Sequence, residues 1–170
     1  MVGDKYMYRS KEFFLMDVKD INGKSIGFIK DVLVDLNAGR VIGFVVSCCK
    51  FLQNNVSIFV EDIISFNKEM IVSKINKHRN LELSEIRNMD IINKLGETIG
   101  ITEELLFDKS SFKINGIIVS TGFFRNFTGG KIIILINEII IGEENILFFG
   151  CYNKIKFFTV PHKLFMEINK

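Results

Sequence analysis

The chain has 170 residues, enough for one ordinary domain or two small ones. Hydrophobic residues make up 48 % of it and there is a single proline, which excludes extensive disorder. With 22 basic against 20 acidic residues the net charge is +2, too mild to imply a nucleic-acid or anionic-membrane partner.

Residues 1–6 (MVGDKY) contain no apolar core of a signal peptide, so a cytoplasmic location is the expectation. Residues 26–35 (IGFIKDVLVD) predict a half-buried strand. Ile26, Phe28, Val32 and Val34 share one parity, and Gly27, Asp31 and Asp35 the other with Ile29 and Leu33. Residues 36–39 (LNAG) are a turn, because Asn and Gly tolerate left-handed backbone. Residues 40–49 (RVIGFVVSCC) return as the second strand of a hairpin. Short strands follow at 56–60 and 70–73, with 61–67 turning between them. Residues 76–80 (NKHRN) read as a linker, and 81–89 as a short helix with Ser84 as its cap. A second hairpin joins 99–108 to 113–122 across 109–112. The most apolar run, 132–141, is ten residues long and contains Asn137 and Glu138. A membrane-spanning helix needs about 20 apolar residues, so the run predicts a strand and no membrane insertion.

These elements occur twice. Sliding residues 12–47 forward by 73 positions onto 85–120 gives 11 identities in 36 pairs: Glu12/Glu85, Met16/Met89, Asp17/Asp90, Gly23/Gly96, Ile26/Ile99, Gly27/Gly100, Leu33/Leu106, Asp35/Asp108, Gly43/Gly116, Val46/Val119 and Ser47/Ser120. Roughly two or three would arise by chance at ordinary residue usage. After Ser120 the register slips by three, placing an insertion in the loop 123–131 of the second copy. Two copies, 1–78 and 79–170, are therefore expected. Gly27, Gly43, Gly100 and Gly116 fall inside strands, where glycine weakens pairing unless a bulge, a tight bend or a close backbone approach requires it. With Gly23 and Gly96 at turns, they point to strongly curved sheets. The expected fold is all-β: two tandem small β-barrels with few short helical turns.

The stretch from Asp17 to Val46 carries a family signature in Asp17, Val18, Asp20, Gly23, Ile26, Gly27, Asp31, Val32, Asp35, Gly39, Val41, Val45 and Val46. It resembles a PRC-barrel domain. The second copy resembles the same domain through Gly96, Ile99, Gly100, Asp108, Gly116 and Val119. It differs at Phe112, where the first copy has its turn glycine Gly39, and at Asn93, where it has Asp20. The resemblance implies small six-stranded barrels acting as binding or adaptor modules, with no catalytic residues to carry over. The family also supplies the C-terminal half of the ribosome maturation factor RimM. Its separate N-terminal domain is not visible here.

The candidate chemistry is sparse. Asp31, Asp35, Glu104 and Asp108 are regularly spaced carboxylates, expected on a solvated strand face. Lys30 and Glu103 occupy equivalent positions on an otherwise apolar parity. Either a bulge turns the charge to solvent or the two form an ion pair. His78 and His162 lie far apart, and no metal or other cofactor is expected. Cys48, Cys49 and Cys151 are an odd number with two adjacent, which is no disulfide framework. A redox role for any of them needs an accessible, electropositive thiolate. Paired phenylalanines at 13–14, 123–124, 148–149 and 157–158 must each send one ring outward from a strand. The insertion with Phe123, Phe124, Arg125 and Phe127 is the sharpest partner-binding candidate, because loops on rigid scaffolds carry function. The expected function is a non-enzymatic adaptor binding another protein, with a homodimer left open. The alternative is an RNA- or ribosome-associated factor using residues 74–79 with Lys154, Lys156 and Lys163.

Overall fold

The computed structural model describes residues 7–48, 54–77, 80–122, 131–150 and 156–158. It is all-β with short helical turns, and its strands form two sheets. Among the described residues, no helix is long and apolar enough to cross a membrane. The chain divides into two compact units that are not contiguous in sequence. The first unit comprises Met1–Ile86 and Glu104–Asn115, and the second Arg87–Glu103 and Gly116–Lys170.

In the first unit the strands are β1 (Met7–Arg9), β2 (Asp17–Asp20), β3 (Ser25–Asp35), β4 (Arg40–Cys48), β5 (Val56–Phe59), β6 (Ile63–Phe66) and β7 (Glu69–Val72). Six of them form a sheet in the order β5-β4-β3-β2-β7-β6. The pair β2–β7 is parallel and the rest are antiparallel. An isolated bridge, Ser57↔Asn76, ties β5 to the chain leaving β7. β6 lies within residues 61–67, which the sequence pattern suggested were only a turn. Its run Ile63–Phe66 is broken by a register shift at Ile64, which conceals the two-residue period.

The β3–β4 hairpin also departs from simple alternation. Its pairing shifts between Ile29 and Asp31, leaving Lys30 as the extra, exposed residue. Gly27, Ile29 and Asp31 are then buried while Phe28 is 37 % exposed, the reverse of the expected parity. Past the bulge both parities are covered, and Val32, Leu33 and Val34 are all buried. Gly27 and Gly43 resolve as close backbone approaches. A Cβ at either would fall well inside contact with a facing carbonyl oxygen, that of Ser47 or Ile58. Gly100 and Gly116 meet the carbonyls of Ser120 and Ile134 in the same way.

The first unit contains a reciprocal exchange between the two copies. β1 opens the first copy and pairs with the far half of β9 (Thr98–Asp108), matching Arg9 with Leu106. The equivalent opening of the second copy, Leu81 and Glu82, pairs with β3: Leu33 bridges Glu82, and the Val34 N–H donates to the Leu81 carbonyl (2.9 Å). The positions correspond, since 9 and 82 differ by 73, as do 33 and 106. The helix that follows, α1 (Leu83–Ile86), is shorter than expected and packs on β3. Around this exchange lies an aromatic cluster. Phe13 stacks on Phe44 (centroids 4.8 Å) and Phe107 (5.7 Å), Phe107 stacks on Phe112 (5.9 Å), and Tyr8 meets Phe13 edge-on (4.9 Å).

The second unit contains β8 (Asp90–Ile92), the first part of β9, most of β10 (Ile114–Ser120), β11 (Lys131–Leu135), β12 (Ile139–Ile141), β13 (Asn145–Phe148) and β14 (Lys156–Phe158). They run in the order β12-β13-β8-β9-β10-β11-β14. Ile91, Ile117, Val119, Ile134, Ile146 and Phe148 form its buried core.

Candidate functional site

The repeat places matched polar devices in both copies. Asp20 Oδ1 accepts the N–H groups of Asn22 and Lys24, each at 2.9 Å. Asn93 Oδ1 accepts those of Leu95 and Glu97 at the same distances. The aspartate-to-asparagine difference between copies thus preserves the acceptor that the turn uses. Gly39 and Phe112 likewise share a left-handed backbone, φ 61° and 57°, although only glycine adopts it without strain. Phe112 is held there by burial against Phe66 and Phe107.

Two of the four strand carboxylates are not on a solvated face. Asp31 is 4 % exposed and Glu104 is 2 % exposed. The Lys30 bulge rotates Asp31 inward, where Oδ1 accepts the Val32 N–H (2.7 Å) and Oδ2 that of Ser84 (3.2 Å). Ser84 therefore serves the helix start through its backbone N–H. Glu104 is gripped by Arg9 at both oxygens (2.7 and 2.9 Å), with Lys11 at 3.5 Å. Burial of such an anion is tolerable only with this pairing. Asp35 and Asp108 remain half-buried at hairpin turns. Asp108 Oδ1 accepts from the N–H and hydroxyl of both Ser111 and Ser110. Those bonds, the Ser111 N–H foremost, hold its carboxyl well below the usual aspartate range. Lys30 is exposed, and the Glu103 carboxylate is paired with Lys131, not with Lys30.

The first unit also has a cleft of about 520 Å³ lined by Asp20, Lys24, Ser25, Ile26, Cys48, Asn54, Asn55, Val56, Val72, Ser73, Lys74, Ile75 and Lys77. One wall is pinned. Ser57 and Asn76 exchange backbone hydrogen bonds of 2.8 and 2.7 Å, Asn76 Nδ2 donates to Asp62 Oδ2 (2.9 Å), and the Ser73 hydroxyl donates to the Asp62 carbonyl (3.0 Å). Lys74 and Lys77 project from this wall segment, and Lys24 comes from the β2–β3 turn. Val56 and Val72 are buried, and Ile75 is 46 % exposed.

Of the thiols, Cys48 is free, half-buried and in this cleft. Cys49 and Cys151 lie outside the described residues, as do Phe123, Phe124, Arg125, Phe127, His78, Arg79, Lys154, His162 and Lys163. Phe13 is buried and Phe14 half-buried, and Phe148 is buried while Phe149 is 37 % exposed. In each of these two pairs one ring is the more outward. Outward isoleucines were not anticipated. Ile64 (59 % exposed) and Ile140 (58 %) occupy equivalent places in β6 and β12, and each strand ends its sheet. Alternation within such short runs gave no signal of this. The cleft was half visible, since residues 74–79 stood out as basic, but Lys24, Asn54 and Asn55 are too distant in sequence to be associated with them.

A family model described as the PRC-barrel domain matches the chain twice in tandem, over residues 6–79 and 78–150. No curated protein matches it.

Proposed function

The chain belongs to the PRC-barrel domain family, and from that premise we propose that it is a non-enzymatic, cytoplasmic adaptor that binds another protein. The observation that supports this most is the recurrence of a solvent-facing isoleucine, Ile64 and Ile140, on a terminal sheet strand in each copy. Edge strands present unpaired backbone groups, and an adjoining apolar side chain adds area for an incoming strand. Each copy is read as a small barrel unit, a reading supported in the first by the Ser57–Asn76 bridge.

The test is affinity capture of the tagged full chain from its native cell, compared with Ile64→Lys and Ile140→Lys. A partner retained by the parent and lost by a variant with an unchanged melting temperature supports the reading. A partner retained equally by both variants removes it. The second reading, association with RNA or ribosomes, draws on Lys74 and Lys77 in the cleft. A salt-sensitive mobility shift with total RNA favours it.

A further inference from the structure

The lysine-lined cleft of the first unit carries a more specific assignment than the sheet edges, and stands independently of them. Some cations elsewhere among the described residues meet carboxylates: Arg9 and Lys11 hold Glu104, Lys19 holds Glu69 at 2.6 Å, and Lys131 holds Glu103. Lys24, Lys74 and Lys77 are in no ion pair among the described residues, yet all three line one cavity. Among the described residues of the lining the sole carboxylate is Asp20, whose Oδ1 is taken up by two N–H groups of its own turn. Three ammonium groups against one carboxylate give the described lining residues a net charge of +2. The floor is aliphatic, from Ile26, Val56, Val72 and Ile75, and the amides of Asn54 and Asn55 can meet a peptide backbone.

We propose that this cleft binds an acidic peptide segment. Its carboxylates sit against Lys24, Lys74 and Lys77, and an aliphatic side chain between them rests on Ile26, Val56, Val72 and Ile75. The volume suits a few residues, within the roughly 300–1,000 Å³ of ordinary ligand sites. A peptide fits better than a polyphosphate chain. The aliphatic floor matches side chains of the same kind, and Asp20 at the rim repels a backbone bearing a charge on every unit while a peptide N–H can approach it. The Ser57–Asn76 pairing and the Asp62 contacts hold the wall in place before binding, which lowers the ordering cost of association.

The experiment is fluorescence anisotropy of the full chain with a labelled short peptide alternating glutamate and valine. The comparison probes are the same peptide with glutamine for glutamate, one with serine for valine, and single-stranded oligouridylate. Binding of the parent peptide is expected to weaken at least about tenfold in the triple variant Lys24→Gln, Lys74→Gln, Lys77→Gln, and with about 0.5 M salt. Ile75→Ser, at an exposed position, is expected to weaken the valine peptide and leave the serine peptide unaffected. Both variants must keep the parental melting temperature, which the exposure of all four residues favours. The assignment is overturned if the acidic peptide does not bind or binds the triple variant equally. It is also overturned if oligouridylate binds tighter than the peptide and loses that binding in the triple variant, which would make the cleft a nucleic-acid site.

Discussion

Leu15 and Phe112 provide a paired test of which force sets a strained backbone. Both have left-handed φ, 65° and 57°. Such a conformation costs an L-residue roughly 1–2 kcal/mol. Glycine relieves that strain but loses roughly 0.5–1 kcal/mol through its freer unfolded chain. At Leu15 the side chain is 75 % exposed, so little burial is at stake. Leu15→Gly should therefore stabilise by about 0.5–1 kcal/mol. Phe112 is 6 % exposed and packs on Phe66 and Phe107, and removing such a ring costs about 3–5 kcal/mol. Strain relief does not offset that, and Phe112→Gly should destabilise by about 2–5 kcal/mol. For a chain of this length the melting temperature moves about 2–4 °C per kcal/mol. Calorimetry should then show a rise of about 1–4 °C for Leu15→Gly and a fall of about 4–20 °C for Phe112→Gly. Shifts of the same sign would refute the reasoning, because burial would not be what separates the two sites.

Arg9→Leu removes the bidentate partner of the buried Glu104 carboxylate, and should cost about 3–5 kcal/mol in chemical denaturation. Adding Glu104→Leu should recover most of that loss, and a double variant as unstable as the single one would contradict the assignment. Gly27→Ala should cost about 1–3 kcal/mol or more from collision with the Ser47 carbonyl, against roughly 1 kcal/mol for Gly23→Ala, whose Cβ meets open space. Asp20→Asn should be nearly neutral in thermal denaturation, since Asn93 performs the same turn with the amide oxygen. Asp108 is held ionised in the folded state, so its stabilising contribution is present above the unfolded value near 3.9 and is lost as pH falls towards the folded one. Its carboxyl carbon shift should stay flat to about pH 3 by NMR, and a midpoint near 4 would show that the Ser110 and Ser111 donors are absent in solution.

Much of the fold was legible because the repeat doubles each signal. The hairpins and the Gly23 and Gly96 turns follow from residues compared across 73 positions, and the Gly39 turn from its own Asn and Gly. The burial of Asp31 and Glu104 was not legible. It depends on a one-residue bulge at Lys30 and on Arg9, 95 residues from Glu104, and neither leaves a local periodicity. β6 escaped notice for the same reason, because the Ile64 bulge breaks its alternation. The cleft is assembled from strand ends and the loops that join them, residues far apart in the chain, so only its Lys74–Lys77 edge could be anticipated.

The reciprocal pairing of the copies' opening segments has a consequence for biosynthesis. Arg9 cannot meet Glu104 until the ribosome has added a further 95 residues. At roughly 5–20 residues per second that is a wait of about 5–20 s. During it β1 lacks its β9 partner, and Phe13 lacks the Phe107 ring that stacks on it in the finished protein. The first half of the gene therefore encodes a nascent chain with an open aromatic surface. A translational pause between codons 48 and 104 would lengthen that exposure, and synonymous codon changes there should alter soluble yield without changing a single residue.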